Sequence, residues 1–384
     1  MRRICVISGS RSEFGLLKPI LSLLDTELEI DLQLVATGMH LSDEYGLTVT
    51  EIENSGFKIN AKVESLIFSG KSIDIPSSVA KGITGIFTAL KELKPELVVV
   101  LGDRYEIFAA VIGATLYGAP IAHIQGGEVT SGSIDDVYRH AITKMSHLHF
   151  ASTDKSKKRI QQLGENEKSI FVVGALGAEI VNNLKFASKS DLEEKYNFKF
   201  GVKNLLVTLH PSTFEELSNL ELINSLLLAL SGLRDTHLIF TYPTADLESD
   251  IIINEIEKFS SGRSNAFFIK SLGQLDYLAC VAQVDGVVGN SSSGILEVPS
   301  LRKGTINIGD RQQGREQSGS IINSNAHPES IISSIEYLYS QEFQQSLANS
   351  ISPYFRPMTS VNIVEVLART PLDGLTRKKF FDLE

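Results

Sequence analysis

Residues 123–136 read HIQGGEVTSGSIDD. An apolar strand runs out into two glycines, and three carboxylates, Glu128, Asp135 and Asp136, follow in a Gly/Ser-rich loop. Negative charge crowded where a buried strand ends suits acid/base work. Carboxylates sharing a partly desolvated cleft repel one another, which raises the pKa of at least one and separates an acid from a base. The plainer alternative is a solvated loop in which Asp135 or Asp136 caps the next helix. A second strand end bears on the choice. In VVVLGDRYE, Asp103 and Arg104 directly follow a buried run. Asp103 alone reads as a helix cap, but pairing of adjacent parallel strands would bring it close to Gln125 and Glu128. Arg139, one turn beyond Asp136, is placed to hold a carboxylate or a phosphate.

Other strand ends carry anion-binding chemistry. The run DGVVGNSSSGILEV reaches Gly289, and Asn290, Ser291, Ser292, Ser293 and Gly294 then open a helix. Small residues let backbone N–H groups approach a phosphate, and the hydroxyls add donors. Glu297, in the first helical turn, is placed to accept ribose hydroxyls. Arg311 and Arg315 follow in NIGDRQQGRE and suit a pyrophosphate. The first strand ends in SGSRSEFG, where Gly9 permits a tight turn, Ser10 or Ser12 caps the next helix, and Arg11 adds a charge at its positive end. His210 in TLHPST stands at a further strand end, with structural and functional readings evenly balanced. His147 and His149 in SHLHF have strand spacing, with no acidic ligand evident beside them, and read as structural. No G-x-G-x-x-G is present, so a bound dinucleotide has little support. The second half of the chain therefore looks built to hold a nucleotide diphosphate, and the first half to supply carboxylates.

These groups need a scaffold. In the first half, RICVIS, DLQLVAT, ELVVVLG, PIAHIQ, LHFAS and IFVVG read as strands, and EFGLLKPILSLLD and SVAKGITGIFTALKEL as helices. The pattern restarts with strands NLLVTLH, HLIFTYP, AFFIK, DGVVGN and KGTINIG, and with helices TFEELSNLELINSLLLALSGL and SLGQLDYLACVAQ. Such alternation predicts parallel sheets with helices on both faces. The expected fold is α/β, with two doubly wound Rossmann-like domains facing a cleft and ligands at the carboxyl ends of the strands. The polar stretch KFASKSDLEEKYNFKFGVKN marks the domain change. Residues 1–178 form the first domain and 179–365 the second, while 366–384 are a C-terminal segment able to pack back on the first.

Composition limits the function further. A chain of 384 residues with 42% apolar and 21% charged residues is globular, and its length suits two domains. Its net charge is 36 − 46 = −10, with no Lys/Arg block, so neither nucleic acid nor a membrane surface is an expected partner. Cys5 and Cys280 sit in apolar contexts without a C-x-x-C, which argues against a disulfide framework or a zinc site and fits a reducing compartment. The start MRRICVIS is too short in its apolar run for a signal peptide, and no stretch approaches the ~20 apolar residues of a membrane span. A cytoplasmic protein is expected.

The segments GSRSEFG, GDRYEIF, HIQGGE…IDD…RHAITKMSHLHF, LHPST, GNSSSGILE and GDRQQGRE, taken jointly and in order along nearly the whole chain, resemble the hydrolysing UDP-N-acetylglucosamine 2-epimerases of sialic acid biosynthesis. Relatives in that family act on a UDP-2,4-diacetamido-trideoxyhexose in legionaminic acid biosynthesis. The resemblance implies a glycosyltransferase-B-like fold, no metal or NAD requirement, and release of UDP with a 2-epimerised sugar. A homo-oligomer, dimer or tetramer, is expected. The resemblance places the family's carboxylates at Asp103 and Asp135, and its phosphate- and uridine-contacting positions at Arg11, Arg104, His210, Ser291, Ser292, Glu297 and Arg311. Together with the residue chemistry above, the expected catalytic set is Asp103, Glu128, Asp135 and His210, and the expected substrate contacts also include Gln125, Arg139, Asn290 and Ser293. Where many members have HIEGGE, this chain has Gln125, which cannot act as a base, so that role falls to Glu128, Asp103 or Asp135. Two other classes compete. A glycosyltransferase of the same fold needs an acceptor surface with membrane-facing basic or aromatic patches, and none is evident. A periplasmic-type sugar-binding protein needs an export signal and has no use for clustered carboxylates.

Overall fold

The computed structural model describes residues 1–43, 45–67, 73–131, 133–212, 217–243 and 248–382. The chain forms two compact units. The first comprises residues 1–128, 135–179 and the chain from Arg356 onward; the second comprises Val129–Ile134 and Ile180–Phe355.

The strands of the first unit are β1 (Arg2–Ser8), β2 (Ile30–Thr37), β3 (Ala61–Val63), β4 (Leu97–Leu101), β5 (Ile121–Gly126), β6 (Leu148–Ala151) and β7 (Ile170–Val172). Among the described residues they make one seven-stranded sheet in the order β3-β2-β1-β4-β5-β6-β7, parallel throughout. Side-chain alternation explains why these runs become interior strands. In β1, Ile4 and Val6 enter the apolar layer containing Leu17, Leu21 and Leu24, while Cys5 and Ile7 enter the opposite layer with Ile86, Val98 and Ile107. Burial pushes the Cys5 thiol up to about 12, which leaves it an inert core group. The helix Thr359–Arg369 adds Ile363, Val364 and Leu367 to the first layer, and Arg2 donates to the Leu367 carbonyl at 2.6 Å.

The second unit repeats the plan with β8 (Lys203–Thr208), β9 (Thr236–Thr241), β10 (Ala266–Ile269), β11 (Gly286–Gly289), β12 (Gly304–Ile308) and β13 (Ile321–Ser324). Their order is β10-β9-β8-β11-β12-β13, again all parallel. Apolar layers cover both faces, one around Leu226, Phe240 and Ile306, the other around Cys280, Val281 and Val287.

Strand order reverses between β1 and β4 in the first sheet, and between β8 and β11 in the second. In open α/β sheets a crevice opens at such a switch point, outside the carboxyl ends of the strands. Asp103 follows β4, Arg11 follows β1, His210 follows β8 and Asn290 follows β11, so both sets of candidate residues lie at switch points.

Two helical expectations need correction. The helix expected from Thr213 runs Asn219–Ser231, because Ser218 and Glu221 form a reciprocal capping box that sets its start; residues 213–216 lie outside the described ones. The helix expected after Gly289 is only the four-residue turn Ser293–Leu296, followed by a 3-10 turn at Val298–Leu301. Pro299 disfavours the α conformation at the residue before it and brings no N–H of its own, which stops the helix there.

Candidate functional site

In the first unit the groups converge on Arg139. The helix Asp135–Met145 begins at Asp135, so both aspartates lie inside its first turn and neither stands before it as a cap. Arg139, one turn on, is 2% exposed, whereas the Asp103 side chain is 24% exposed. The guanidinium holds the Asp103 carboxylate through Nη2, and through Nη1 it reaches Asp136 Oδ1 at 3.1 Å and the Glu128 carbonyl at 3.2 Å. The capping alternative for Asp103 fails as well, since Arg104 occupies the N-cap of the helix Tyr105–Tyr117. Asp103 thus reaches solvent at a strand end, fixed from behind by a buried cation.

Glu128 differs from expectation. It is 3% exposed, and its carboxylate accepts from the Ser156 hydroxyl at 2.5 Å in the first turn of the helix Asp154–Gln162. The two glycines before it are explained by packing. A Cβ on Gly126 would lie 2.7 Å from Thr143 Oγ1 and 2.8 Å from His123 Nδ1; one on Gly127, whose φ is +75°, would lie 2.4 Å from the Ser156 carbonyl. Gln125 sits at a register shift between β5 and β6 with a left-handed φ of 65°. That conformation costs a non-glycine residue about 1 kcal/mol or more and turns Gln125 out of the ladder. His123 donates to the Gly102 carbonyl through Nε2 (2.8 Å) and accepts from Thr143 through Nδ1 (3.1 Å), which locks the β4 and β5 ends together. Burial holds it neutral, down to about 3.

Mutual repulsion is the expectation for the carboxylates of this loop, and a buried guanidinium lies among them. The carboxyl held protonated is one the sequence reading missed. Glu13 is buried behind Gly9, and burial, reinforced by the neighbouring Glu106, pushes it up to about 8. Its carboxyl accepts from the Gly9 N–H at 2.8 Å, and the Ser10 side chain caps the Glu13 N–H. The S-x-x-E spacing of Ser10 and Glu13 is a capping-box signal that would have found it. Glu106 takes Arg104 at 3.3 Å, and Arg11 pairs with Glu51 at 2.6 Å on a half-exposed surface. The sign of the linkage follows from the raised value. The folded protein keeps a proton that the unfolded chain releases above about 4.5, so this stability is complete below that pH and lost as pH rises through about 8. Glu13→Gln, which cannot titrate, is expected to flatten the fall in unfolding free energy between pH 5 and pH 8 by on the order of 2 kcal/mol. Parallel slopes for the two proteins in urea titrations would refute this.

The histidine pair is structural, but His149 does have an acidic neighbour. Its Nε2 meets the buried Glu165 at 3.1 Å, while His147 Nδ1 accepts from the Ile121 N–H at 3.1 Å. Among the described residues no group of three or more His, Cys, Asp or Glu side chains could hold a metal ion.

In the second unit Asn290 is the organiser. It is fully buried, and its side chain bonds both backbone groups of His210, Oδ1 accepting from N–H at 2.7 Å and Nδ2 donating to the carbonyl at 2.9 Å. Its own carbonyl accepts from Arg311 Nη1 at 3.2 Å and from Gln312 Nε2 at 2.9 Å. Asn290 therefore ties together the exits of β8, β11 and β12, with its amide spent on protein. Gly289, with φ +139°, permits the approach, since a Cβ there would lie 1.8 Å from the Thr208 carbonyl. Ser291 and Ser292 remain partly exposed, and Ser291 Oγ accepts from the Ser293 N–H at 3.4 Å. Glu297 ends the short turn. Burial pushes its carboxyl up, opposed by Ser293 and by the charge of Arg315. Tyr277, unnoticed in the sequence, is raised well above the usual phenol range by burial. Backbone donors and hydroxyls at a switch point, with two arginines after the adjacent strand β12, suit a diphosphate.

The chain is similar to known proteins along nearly its whole length. The sequence profile described as UDP-N-acetylglucosamine 2-epimerase matches residues 23–368. The chain is 39% identical over 385 residues to the GDP/UDP-N,N'-diacetylbacillosamine 2-epimerase (hydrolyzing) of Campylobacter jejuni, covering 100% of this chain and 99% of that one. It is 38% identical to the polysialic acid biosynthesis protein P7 of Escherichia coli, over 96% of this chain and 94% of that one. The solved UDP-GlcNAc 2-epimerase of Neisseria meningitidis, bound to UDP-GlcNAc, superposes with a TM-score of 0.80 at 20% identity, over 96% of this chain and 100% of that one. The chain belongs to the UDP-N-acetylglucosamine 2-epimerase family, and its two parallel-sheet units have the glycosyltransferase-B-like fold. No helix among the described residues is long and apolar enough to cross a membrane.

Proposed function

We propose that this protein is a hydrolysing 2-epimerase that converts UDP-N-acetylglucosamine and water to N-acetylmannosamine and UDP, for sialic acid biosynthesis. The observation that carries the reading is the placement of solvent-reaching Asp103, and of the Asn290–Ser293 and Arg311 cradle, at the switch points of the two sheets. Roles divide between the units. The first supplies Asp103 and Asp135 for proton transfer at C2 of the sugar, with Gln125 orienting the substrate and Arg104 and Arg11 nearby as cations. The second grips UDP through Ser291, Ser292, Ser293 and Arg311, with Glu297 for ribose and His210 beside the diphosphate.

The chemistry balances without an oxidant. A carboxylate takes the C2 proton as the C1–O bond to UDP breaks, which leaves a glycal. Water then adds at C1, and a proton returns to C2 from the opposite face. Arginine and backbone N–H groups stabilise the charge growing on the leaving diphosphate. Glu128, buried against Ser156, supports the turn that carries Gln125.

A second reading keeps the reaction and changes the sugar to UDP-2,4-diacetamido-2,4,6-trideoxyglucose, for legionaminic acid biosynthesis. Its support is the 39% identity to the diacetylbacillosamine enzyme together with Gln125 in place of glutamate. Incubation with each UDP-sugar separates the two. The substrate should yield UDP and the 2-epimer in equal amounts, with one solvent deuterium at C2 when the reaction is run in D2O. UDP release from neither sugar would overturn both readings.

Arg311→Ala is expected to weaken UDP binding by roughly 1.5–3 kcal/mol, the worth of a charge-assisted hydrogen bond. Gln312 still holds the Asn290 carbonyl in that variant, so the loop should survive. Unchanged affinity by calorimetry would remove UDP from this cradle.

A further inference from the structure

The turn Gly127–Glu128 is gripped by two helices. From Asp135–Met145, Arg139 holds the Glu128 carbonyl and Asp103. From Asp154–Gln162, Ser156 holds the Glu128 carboxylate and Arg159 donates to the Gly127 carbonyl at 3.3 Å. The far ends of these helices are joined by the C-terminal tail, more than two hundred residues away in sequence. Lys378 Nζ donates at 2.5 Å to the carbonyls of Lys144 and Ser146, which end the first helix. The same ammonium reaches both oxygens of the buried Glu165 at 2.9 Å, just beyond the second helix. Lys144 also meets Glu165 at 2.8 Å and lies 4.5 Å from the centre of the Phe380 ring. Phe380 covers Gly164 so closely that a Cβ there would come within 2.4 Å of the ring, and the Phe381 N–H donates to the Gly164 carbonyl at 2.9 Å.

We propose that the tail segment 378–381 is a strap that sets the two helices in register, and that Lys378 is a positioning residue for Asp103 and the Gly127–Glu128 turn. Four features favour a built device over a chance surface contact. The lysine answers helix-end carbonyls that would otherwise lack donors. Its charge sits at the negative end of a helix dipole. It neutralises a carboxylate that is almost fully buried. The buried carboxylate is also answered from three sides: burial opposes ionisation of Glu165, but hydrogen bonds from His149, Lys144 and Lys378 win and hold it down to about 2.

The inference rests on the proposed epimerase reading for its activity readout, and on hydrogen exchange for an independent one. Lys378→Met in the full chain is expected to lower turnover roughly ten-fold, since small misplacements far from the chemistry are costly. UDP affinity should stay within about two-fold of wild type and KM nearly so. Amide exchange should quicken in residues 127–139, not only at 144–146. Lys378→Arg, which keeps the charge and the donors, should restore most of the turnover and the slow exchange. Phe380→Ala tests the same strap by removing the ring and leaving the ion pair. Unaltered turnover and exchange in Lys378→Met would overturn the proposal. So would equal losses of turnover and UDP affinity with faster exchange throughout the unit, which mark a general loss of stability. If the wild type releases UDP from no sugar, the epimerase reading fails, and the exchange experiment alone decides whether the strap exists.

Discussion

Asp103→Asn is expected to lower turnover by at least ~100-fold while UDP affinity and folding stay close to wild type. The structure sharpens this expectation in three ways. Asp103 is not a helix cap, because Arg104 stands at that position, so losing the charge costs no helix end. Its carboxylate remains accessible on one side and is fixed by Arg139 on the other, the arrangement a positioned proton carrier needs. Asparagine keeps an oxygen for Arg139 but cannot take a proton. The cradle around Asn290 lies in the other unit, so UDP binding has no reason to change. Initial rates of UDP release, with calorimetric UDP affinity as the control, give the answer. Turnover within a few-fold of wild type would remove Asp103 from the mechanism and move the base role to Asp135.

Much of the architecture was open to reading because both faces of each sheet are covered. The alternation of Ile4, Val6 against Cys5, Ile7 then appears as one continuous apolar run. The strands that escaped notice are at sheet edges. β3 has three residues, and β13 reads Ile-Ile-Asn-Ser, too short and too polar to stand out. The site was legible by residue type and strand-end position. What was illegible is how side chains distant in sequence share those positions. Nothing local says that Glu128 will be buried against Ser156, or that the Asn290 amide will be spent on His210. Arg139 was assigned a choice of carboxylate or phosphate, and its near-complete burial decides for the carboxylate. Glu13 reads as a helix-start residue; its burial in the tertiary fold, reinforced by Glu106 beside it, makes it a carboxyl that stays protonated at neutral pH.

Arg139→Met is expected to cost about 3–5 kcal/mol of stability and to suppress turnover as strongly as Asp103→Asn. Removing one partner of a buried ion pair leaves the other charge uncompensated, and that penalty exceeds the net worth of the pair. Here three acceptors lose one charged donor at once: the carboxylates of Asp103 and Asp136 and the carbonyl of Glu128. Methionine fills most of the space, so the loss is electrostatic and not a cavity. Asp103 is partly exposed and recovers some hydration, which places the cost toward the lower end of the range. The double variant Arg139→Met, Asp103→Asn tests the cause. If the stranded carboxylate is the penalty, removing its charge should return ~1 kcal/mol or more, and the two single effects will not add. Turnover should not return with it, because the proton carrier is then gone. UDP affinity should remain near wild type in all three proteins, since Arg139 is spent on protein acceptors. Strictly additive urea-unfolding free energies, or a loss of UDP affinity confined to the Arg139 variants, would show instead that the guanidinium serves the ligand directly.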